Sequence, residues 1–302
     1  MPEMNFTLRV PGSTSNLGPG FDVLGLALQK YLTLTVRGPV DELRLSLAGE
    51  GSDSLPADAT NLVVRSYHEG CSAAGCRPIA LELRIENDIP VARGLGSSGA
   101  ARIAGLLLAQ RLCGHDRLPD ARLLTLAASA EGHSENVTAS LTGGFSASVL
   151  REQTVVYAHL SFPQQLRAVA LIPDFAVETD KARRLLPASL PFEQVVENLQ
   201  FLGLFIAGMQ QADWHALAAG SDDHVHQPWR KTLIPGYDAI TLAARRAGAH
   251  STFISGSGST IIALADKKTA AIADAMAAAA QPYGYGFRCE ILAVDHDGAQ
   301  FL

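Results

Sequence analysis

The strongest local signal is Pro90-Val-Ala-Arg-Gly-Leu-Gly-Ser-Ser-Gly-Ala-Ala101, a glycine-rich loop that leads directly into an apolar, helix-forming segment. Gly94 and Gly96 permit positive φ angles and a close approach of the backbone to a ligand. Ser97 and Ser98 fall at the start of the helix, where unpaired N–H groups and the positive helix end attract anions. The stretch therefore predicts a phosphate-binding turn, and its hydroxyls suit a phosphate-bound Mg²⁺.

Three other interpretations compete with this one. Gly94-x-Gly96-x-x-Gly99 matches the dinucleotide fingerprint, but about seven loop residues separate it from the preceding predicted strand. The region about twenty residues further on, 114–119, is a loop and not the strand that would carry a ribose-binding acid. A Walker A loop requires a lysine that is absent here. A helix capped after a flexible turn, with no ligand, stays open as the purely structural alternative.

Composition limits the function classes. The chain has 302 residues, 47% hydrophobic and 18% charged, which favours a folded protein of two lobes. A formal net charge of −6 disfavours a nucleic-acid partner, because few phosphates would be neutralised. The start lacks a signal-peptide pattern and the longest apolar stretch, 201–209, is too short for a membrane span, so we expect a cytoplasmic protein without a membrane partner. The four cysteines lack metal spacing and are expected to be reduced and mostly buried.

Hydrophobic periodicity predicts an alternation of strands and helices over most of the chain. The predicted strands are 5–10, 30–37, 43–48, 79–86, 145–150, 153–159, 166–172, 251–254, 260–264 and 288–294. The predicted helices are 60–74, 97–113, 119–131, 180–186, 192–211, 237–247 and 267–280. The segment 11–20, rich in Gly, Pro and Ser, predicts a loop. The pattern indicates an α+β protein with parallel-looking units and lobes at 1–162 and 163–302.

Three blocks of sequence together resemble the family of small-molecule kinases named for galactose, homoserine, mevalonate and phosphomevalonate (GHMP kinases). The phosphate turn is similar to the central motif of the family. Val10-Pro-Gly-Ser-Thr-Ser-Asn-Leu-Gly-Pro-Gly-Phe-Asp-Val-Leu-Gly-Leu-Ala27 resembles the opening of homoserine kinases, and Ser255-Gly-Ser-Gly-Ser-Thr260 resembles the third family motif. Glu131-Gly-His-Ser-Glu-Asn-Val137 and Asp223-x-x-His-Gln-Pro-Trp-Arg230 are also homoserine-kinase-like. The blocks occur in order, which makes chance similarity improbable.

The resemblance implies a fold and a nucleotide site. The fold would be a GHMP-kinase fold, with an N-terminal lobe like domain 2 of ribosomal protein S5 and a C-terminal ferredoxin-like lobe. ATP would be the phosphate donor, and Ser98 and Glu131 would hold Mg²⁺. Residues implied to contact ATP are Asn61, Leu62, Pro90, Val91, Ala92, Arg93, Gly94, Leu95, Gly96, Ser97, Ser98, Gly99 and Ala100.

For the acceptor, the resemblance implies L-homoserine, and hence a step of threonine biosynthesis. Arg183 and Arg230 would bind its carboxylate, for which guanidinium geometry is suited. Asp22 would bind its ammonium group. The remaining implied substrate residues are Asn16, His133, Glu135, Asn136, Thr179 and Gly256. Relatives of this kind are often dimers, so the resemblance also suggests a homodimer.

Asn136 lies seven residues before Gly143, where mevalonate-type relatives carry an aspartate that can act as a base. An amide cannot take the hydroxyl proton. Because phosphoryl transfer depends mainly on positioning and charge neutralisation, we expect direct in-line transfer with Asn136 orienting the hydroxyl. Ser98, Glu131 and Arg230 complete the implied catalytic set.

The sequence departs from the homoserine-kinase pattern at three places. Gly12-Ser-Thr-Ser-Asn16 stands for Ala-Thr-Ser-Ala-Asn, Glu135 stands for Asp, and Ser257-Gly-Ser259 stands for Ala-Gly-Pro. A one-methylene mismatch in a pocket is worth about 1–3 kcal/mol, enough to change the preferred acceptor but not the reaction type. Another small alcohol or hydroxy amino acid as acceptor, and a non-catalytic relative that binds ATP or a metabolite, therefore stay open.

Overall fold

The computed structural model describes residues 4–302 and contains two mixed layers of strands and helices. The strands in the described part are β1 (Met4–Ser15), β2 (Leu24–Gly38), β3 (Arg44–Gly49), β4 (Glu82–Asn87), β5 (Phe145–Arg151), β6 (Thr154–Leu160), β7 (Arg167–Pro173), β8 (Ser251–Ile254), β9 (Ile261–Ala265), β10 (Phe287–Leu292) and β11 (Gln300–Phe301).

The helices lie between these strands. Seven of them begin within two residues of the predicted positions, and three short ones, at 135–142, 214–219 and 227–230, are not predicted from the sequence. They are α1 (Leu62–Ala73), α2 (Ser97–Cys113), α3 (Asp120–Glu131), α4 (Glu135–Thr142), α5 (Thr179–Arg184), α6 (Phe192–Gln211), α7 (Trp214–Ala219), α8 (Gln227–Arg230), α9 (Tyr237–Ala247) and α10 (Thr269–Ala280). Two 3₁₀ turns, Lys231–Leu233 and Gln281–Tyr283, complete the described helical segments. None of the described helices has the length and apolarity needed to cross a membrane.

The strands form two sheets. The seven-stranded sheet has the order β11-β1-β2-β4-β3, with β5 beside β2 and β6 beside β5, and the four-stranded sheet has the order β10-β7-β9-β8. Every strand pairing is antiparallel except β3 with β4. The expectation of parallel-looking units was therefore wrong. Alternation of strand and helix does not fix strand direction when the helices pack on one face of an antiparallel sheet.

The largest correction concerns the segment 11–20. Its first part is not a loop, because β1 continues through Ser15 and pairs with β2, which begins at Leu24. A register shift between Pro11 and Gly12 lets the two strands stay paired. Pairing with β2 thus overrides the local turn propensity of Pro, Gly and Ser. It also places residues 13–16 beside the glycine-rich turn.

Strands β7, β8 and β9 of the four-stranded sheet are buried on both faces, and the edge strand β10 is partly exposed. Alternate residues of β7, such as Ala170 and Val169, belong to two different hydrophobic cores, one shared with the large sheet and α6 and one formed with α9 and α10. Because both faces are buried, the sequence of β7 is continuously apolar and does not alternate between apolar and polar residues. The division of the chain at 162/163 stays a prediction; the final strand, β11, pairs with β1 of the seven-stranded sheet.

Candidate active site

The glycine-rich turn lies between β1 and the turn 255–260, in close contact with both. Gly94 and Gly96 have φ angles of 77° and 74°. A Cβ on Gly94 would lie 2.0 Å from the Ser255 carbonyl oxygen, and one on Gly96 would lie 2.3 Å from the Ser13 hydroxyl. The Ser13 amide donates to the Leu95 carbonyl at 3.0 Å. Only glycine therefore fits at both positions, so the turn is held in one shape by packing and backbone hydrogen bonds.

Helix α2 begins at Ser97 directly after this turn. Gly96 at the N-cap makes no side-chain capping bond, so the first amides of the helix remain available to an anion. Residues 96–99 line a cleft that is partly open to solvent. Backbone donors at the positive end of a 17-residue helix are suited to phosphate oxygens.

Ser98 and Glu131 meet beside this helix end. The Ser98 hydroxyl donates to Glu131 Oε1 at 2.7 Å, and Arg102, one turn further along α2, also donates to that oxygen. Within residues 4–302 no group of three His, Cys, Asp or Glu side chains can hold a metal by itself. Mg²⁺ needs only one or two protein oxygens when phosphates and waters supply the rest, so the hard oxygens of Ser98 and Glu131 fit this ion.

The opposite wall of the cleft carries charged side chains. Arg183 binds Asp22 through two parallel hydrogen bonds, of 2.9 and 2.7 Å. Burial lowers the pKa of Arg183, but the bonds and charge of Asp22 outweigh that effect and raise it overall. The pair is about one-third exposed and faces the cleft. Each member is therefore fixed in place and still accessible to a ligand of mixed charge.

Arg230 is the least satisfied charge of this wall. It is only 2% exposed, donates through Nη1 to the Gly256 carbonyl at 2.9 Å, and has no partner at Nε. Burial, followed by the positive charge of Arg183, lowers the pKa of Arg230 to about 10. The guanidinium lies 4.9 Å from the ring centroid of Phe21. A buried cation with an unpaired N–H that lines a cleft is suited to an anionic ligand group.

Asn136 lies at the floor of the cleft and its amide is fixed at both ends. Ser13 donates to Asn136 Oδ1 at 2.9 Å, and Asn136 Nδ2 donates to Ser15 Oγ at 3.0 Å. Neighbouring Glu135 is 2% exposed, and its Oε2 has no partner. His133 Nδ1 lies 3.1 Å from Glu135 Oε1. Burial lowers the pKa of His133, but the nearby negative charges of Glu135 and Glu131 raise it overall.

Asn16, Asp22 and Thr179 lie at the rim of the cleft and connect the segments around it. Asn16, with a φ angle of 71°, donates to the Gly256 carbonyl at 2.9 Å and accepts from the Asp22 amide at 3.0 Å. Asp22 also has a positive φ, of 56°. Thr179, the first residue of α5, reaches Ser257 at 3.5 Å. Strained backbone of this kind persists where surrounding contacts impose it, commonly at binding sites.

The structure brings together most of the predicted residues around the one cleft. Those that line it are Asn16, Asp22, Ala92, Gly94, Leu95, Gly96, Ser97, Ser98, Gly99, Glu131, His133, Glu135, Asn136, Thr179, Arg183, Arg230 and Gly256. Pro90, Val91, Arg93, Ala100, Asn61 and Leu62 lie outside this lining. The Arg93 side chain donates to the carbonyls of Val91, Pro173 and Asp174, so it joins the turn to the end of β7. Asn61 caps α1 by accepting from the Val63 amide.

Sequence reasoning missed several residues of the site. Ser13 and Ser15 orient Asn136, Phe21 underlies Arg230, and Arg102 shares Glu131 with Ser98. The serines lie in the segment interpreted as a loop, and no local pattern identifies them. Arg102 could have been predicted, since it follows Ser98 by four residues and residues four apart on a helix lie on the same face.

The turn, the helix end and the two-sheet fold define a class, the GHMP kinases, and comparison with known proteins agrees. The family model described as "GHMP kinases N terminal domain" matches residues 61–144, and "GHMP kinases C terminal" matches residues 205–282. A homoserine kinase of Petrotoga mobilis is 35% identical over 98% of this chain and 96% of the relative. One from Trichormus variabilis is 38% identical over 97% of each chain.

Solved structures give the same result. The crystal structure of homoserine kinase from Cytophaga hutchinsonii superposes with a TM-score of 0.87 at 29% identity, covering 99% of this chain and 97% of that one. Mevalonate kinase of L. major, in complex with R-mevalonate, has a TM-score of 0.69 at 14% identity, covering 97% and 96%, and shows the shared fold. The chain belongs to the GHMP kinase family, and within it to the homoserine kinases.

Proposed function

We propose that the chain transfers the γ-phosphate of ATP to the side-chain hydroxyl of L-homoserine, giving O-phospho-L-homoserine and ADP. The observation that supports it best is the continuity of one cleft, in which a main-chain phosphate site meets a wall of paired and unpaired charges. This step belongs to threonine biosynthesis.

The charged wall supports an amino acid as acceptor. Arg230, with an unpaired buried Nε, and Arg183 suit the carboxylate. Asp22 is engaged by Arg183, so the ammonium group lies between Asp22 and the free Oε2 of Glu135. A neutral sugar alcohol would leave Arg230 Nε and Glu135 Oε2 without charged partners, which is costly in a buried site. The opposed charges thus favour a zwitterion over a sugar or an isoprenoid alcohol.

The donor end of the reaction depends on the main chain. The amides of Gly96 to Gly99 would hold the phosphates of ATP, and Ser98 and Glu131 would hold Mg²⁺. The ion would supply charge neutralisation at the transferring phosphate. Arg102 keeps Glu131 oriented toward Ser98 by donating to the shared oxygen. The chain itself therefore contributes position and electrostatic stabilisation at this end, and no covalent chemistry.

The acceptor hydroxyl is oriented by Asn136. Its amide already uses both ends to bind Ser13 and Ser15, so the side chain cannot swing away, and the hydroxyl is fixed for in-line attack. The hydroxyl proton leaves to a phosphate oxygen or to water, because an amide does not accept it. We expect Asn136→Asp to lower turnover on homoserine by about tenfold, since a second carboxylate repels the incoming phosphate. A rise in steady-state turnover in this variant would contradict the orienting role.

The experiment that tests the proposal is ADP release with Mg²⁺ across homoserine, threonine, serine, mevalonate and galactose. We expect homoserine to give the highest kcat/KM. Activity confined to mevalonate or galactose would overturn the acceptor. Silence with all five, together with ATP binding by calorimetry, would support a non-catalytic binding protein. The homodimer suggested by the resemblance stays a prediction that light scattering can check.

A further inference from the structure

Three of the four cysteines meet where the C-terminal ends of α1 and α2 lie side by side, at the opposite ends of these helices from the cleft. Cys71 is in the last turn of α1, Cys76 follows that helix, and Cys113 ends α2. The sulfur atoms of Cys71 and Cys113 are 3.8 Å apart. All three thiols line one surface cavity. Only Cys71 is buried, which departs from the expectation that most of the thiols are buried.

The three thiols differ in chemistry. The Arg117 guanidinium lies 3.5 Å from the Cys76 sulfur. Hydrogen bonding from Cys113 and the nearby Arg117 lower the pKa of Cys76, whereas burial raises the pKa of Cys71 and of Cys113. Since the thiolate is the reactive form, the partly exposed Cys76 thiol beside the Arg117 cation is the nucleophile of the cluster. Cys113 lines the same cavity and is less buried than Cys71, so its thiol can reach and resolve an oxidised Cys76 sulfur.

We propose that Cys76 and Cys113 form a peroxide-reactive thiol pair, with Cys76 attacking and Cys113 resolving. The Cys76 thiolate attacks hydrogen peroxide, the O–O bond breaks, and Cys76 becomes a sulfenic acid while hydroxide leaves. The Cys113 sulfur then attacks the Cys76 sulfur, the S–O bond breaks and the S–S bond forms. Two thiols are oxidised by two electrons in total, and one peroxide is reduced to two waters. This chemistry is independent of the kinase cleft.

The test uses the full chain, exposed to hydrogen peroxide, quenched with an alkylating agent and mapped by mass spectrometry without reduction. We expect a Cys76–Cys113 disulfide and a rise in Tm of about 5 °C, since the link closes a long loop. Cys113→Ser is expected to stop at a sulfenic acid on Cys76, which a cyclic dione probe traps. Cys76→Ser is expected to leave Cys113 reduced. Arg117→Gln should slow disulfide formation about threefold, because the cation that favours the thiolate is lost.

Cys289 provides the matched control. It lies on β10 and donates to the Ala273 carbonyl at 3.7 Å, and burial raises its pKa to about 11. Cys289→Ser should leave the rate of disulfide formation unchanged. Oxidation of Cys289 as fast as Cys76, a Cys71–Cys113 disulfide in place of the expected one, or a Cys76 that stays reduced would each overturn the proposal. Circular dichroism of each variant separates a loss of fold from a loss of reactivity.

Discussion

The glycine-rich turn and the charged wall face each other across one cleft, yet they use different parts of the chain. The turn at Gly94–Gly99 is contiguous in sequence and offers backbone amides. The wall is assembled from Asp22, Glu135, Arg183 and Arg230, which lie far apart in sequence, and it offers side-chain charges. Under the proposed function the two regions would have different tasks: the turn would bind the phosphates, which many kinases share, and the wall would select the acceptor of the phosphate.

Gly94→Ala should have the largest effect, because it disturbs the glycine-rich turn and leaves the charged wall unchanged. The new Cβ would lie 2.0 Å from the Ser255 carbonyl oxygen at a φ of 77°, so the turn must move. We expect kcat/KM for ATP to fall roughly 1000-fold, from strain and displacement worth about 4 kcal/mol. Steady-state kinetics measures it. Gly99→Ala is the matched control, since its Cβ would lie 3.4 Å from the nearest atom, a Val137 methyl carbon, and its backbone amide is kept. An equal loss in both variants would show that the shape of the turn at Gly94 is not required.

Removing a charge from the wall should weaken binding of the acceptor and leave binding of ATP unchanged. Arg230→Met keeps much of the volume but removes the buried cation. We expect the KM for homoserine to rise roughly 100-fold, from the loss of about 3 kcal/mol of binding to a desolvated charge, with the KM for ATP unchanged. Arg246→Met, at an exposed position of α9, is the control. Parallel increases in both KM values in Arg230→Met would show that the two regions are not separate.

Glu131→Ala tests the proposed metal site beside the glycine-rich turn. We expect a folded protein whose Mg²⁺-dependent turnover falls roughly 50-fold, because one of two protein oxygens for the ion is lost. Titration of activity with Mg²⁺ and a calorimetric measurement of Mg²⁺·ATP binding check it. Glu69→Ala is the control, since Glu69 also pairs with Arg102, at 3.6 Å, but is half exposed. Near-normal activity of Glu131→Ala would remove this residue from the metal site.

The smallest effect concerns pH. The pKa of His133 is raised above 6.5 in the fold, because Glu135 outweighs the effect of burial. Its protonated form therefore stabilises the protein fully below about pH 6.5, and the stabilisation is lost as pH rises through the raised pKa. We expect Tm to fall more steeply above pH 6.5 for the wild type than for His133→Asn. Identical pH profiles of Tm would show that the His133–Glu135 contact carries no linkage.

The glycine-rich turn could be predicted from the sequence alone, whereas the charged wall could not. The turn was recognisable because its glycines and serines are adjacent and because a helix start has general anion-binding properties. The strands and helices largely matched their periodicity. The wall was found only through resemblance, since nothing in the spacing of Asp22, Arg183 and Arg230 indicates that they meet.

The errors have physical causes as well. The segment from Pro11 to Ser15 has loop propensity, but its pairing with β2 is decided by contacts far along the chain. Helix α4 was missed because eight residues after Gly132 are too short for a clear period. The same pairing and the same helix position Ser13, Ser15 and Asn136. Local pattern therefore fails where tertiary contacts build the floor of the site.

A crystal structure with a non-hydrolysable ATP analogue and homoserine bound together would show how both ligands sit in the cleft. We expect phosphate oxygens on the amides of residues 96–99, with the homoserine carboxylate at Arg183 and Arg230 and its hydroxyl at Asn136. A triphosphate bound elsewhere, with the glycine-rich turn empty, would contradict it.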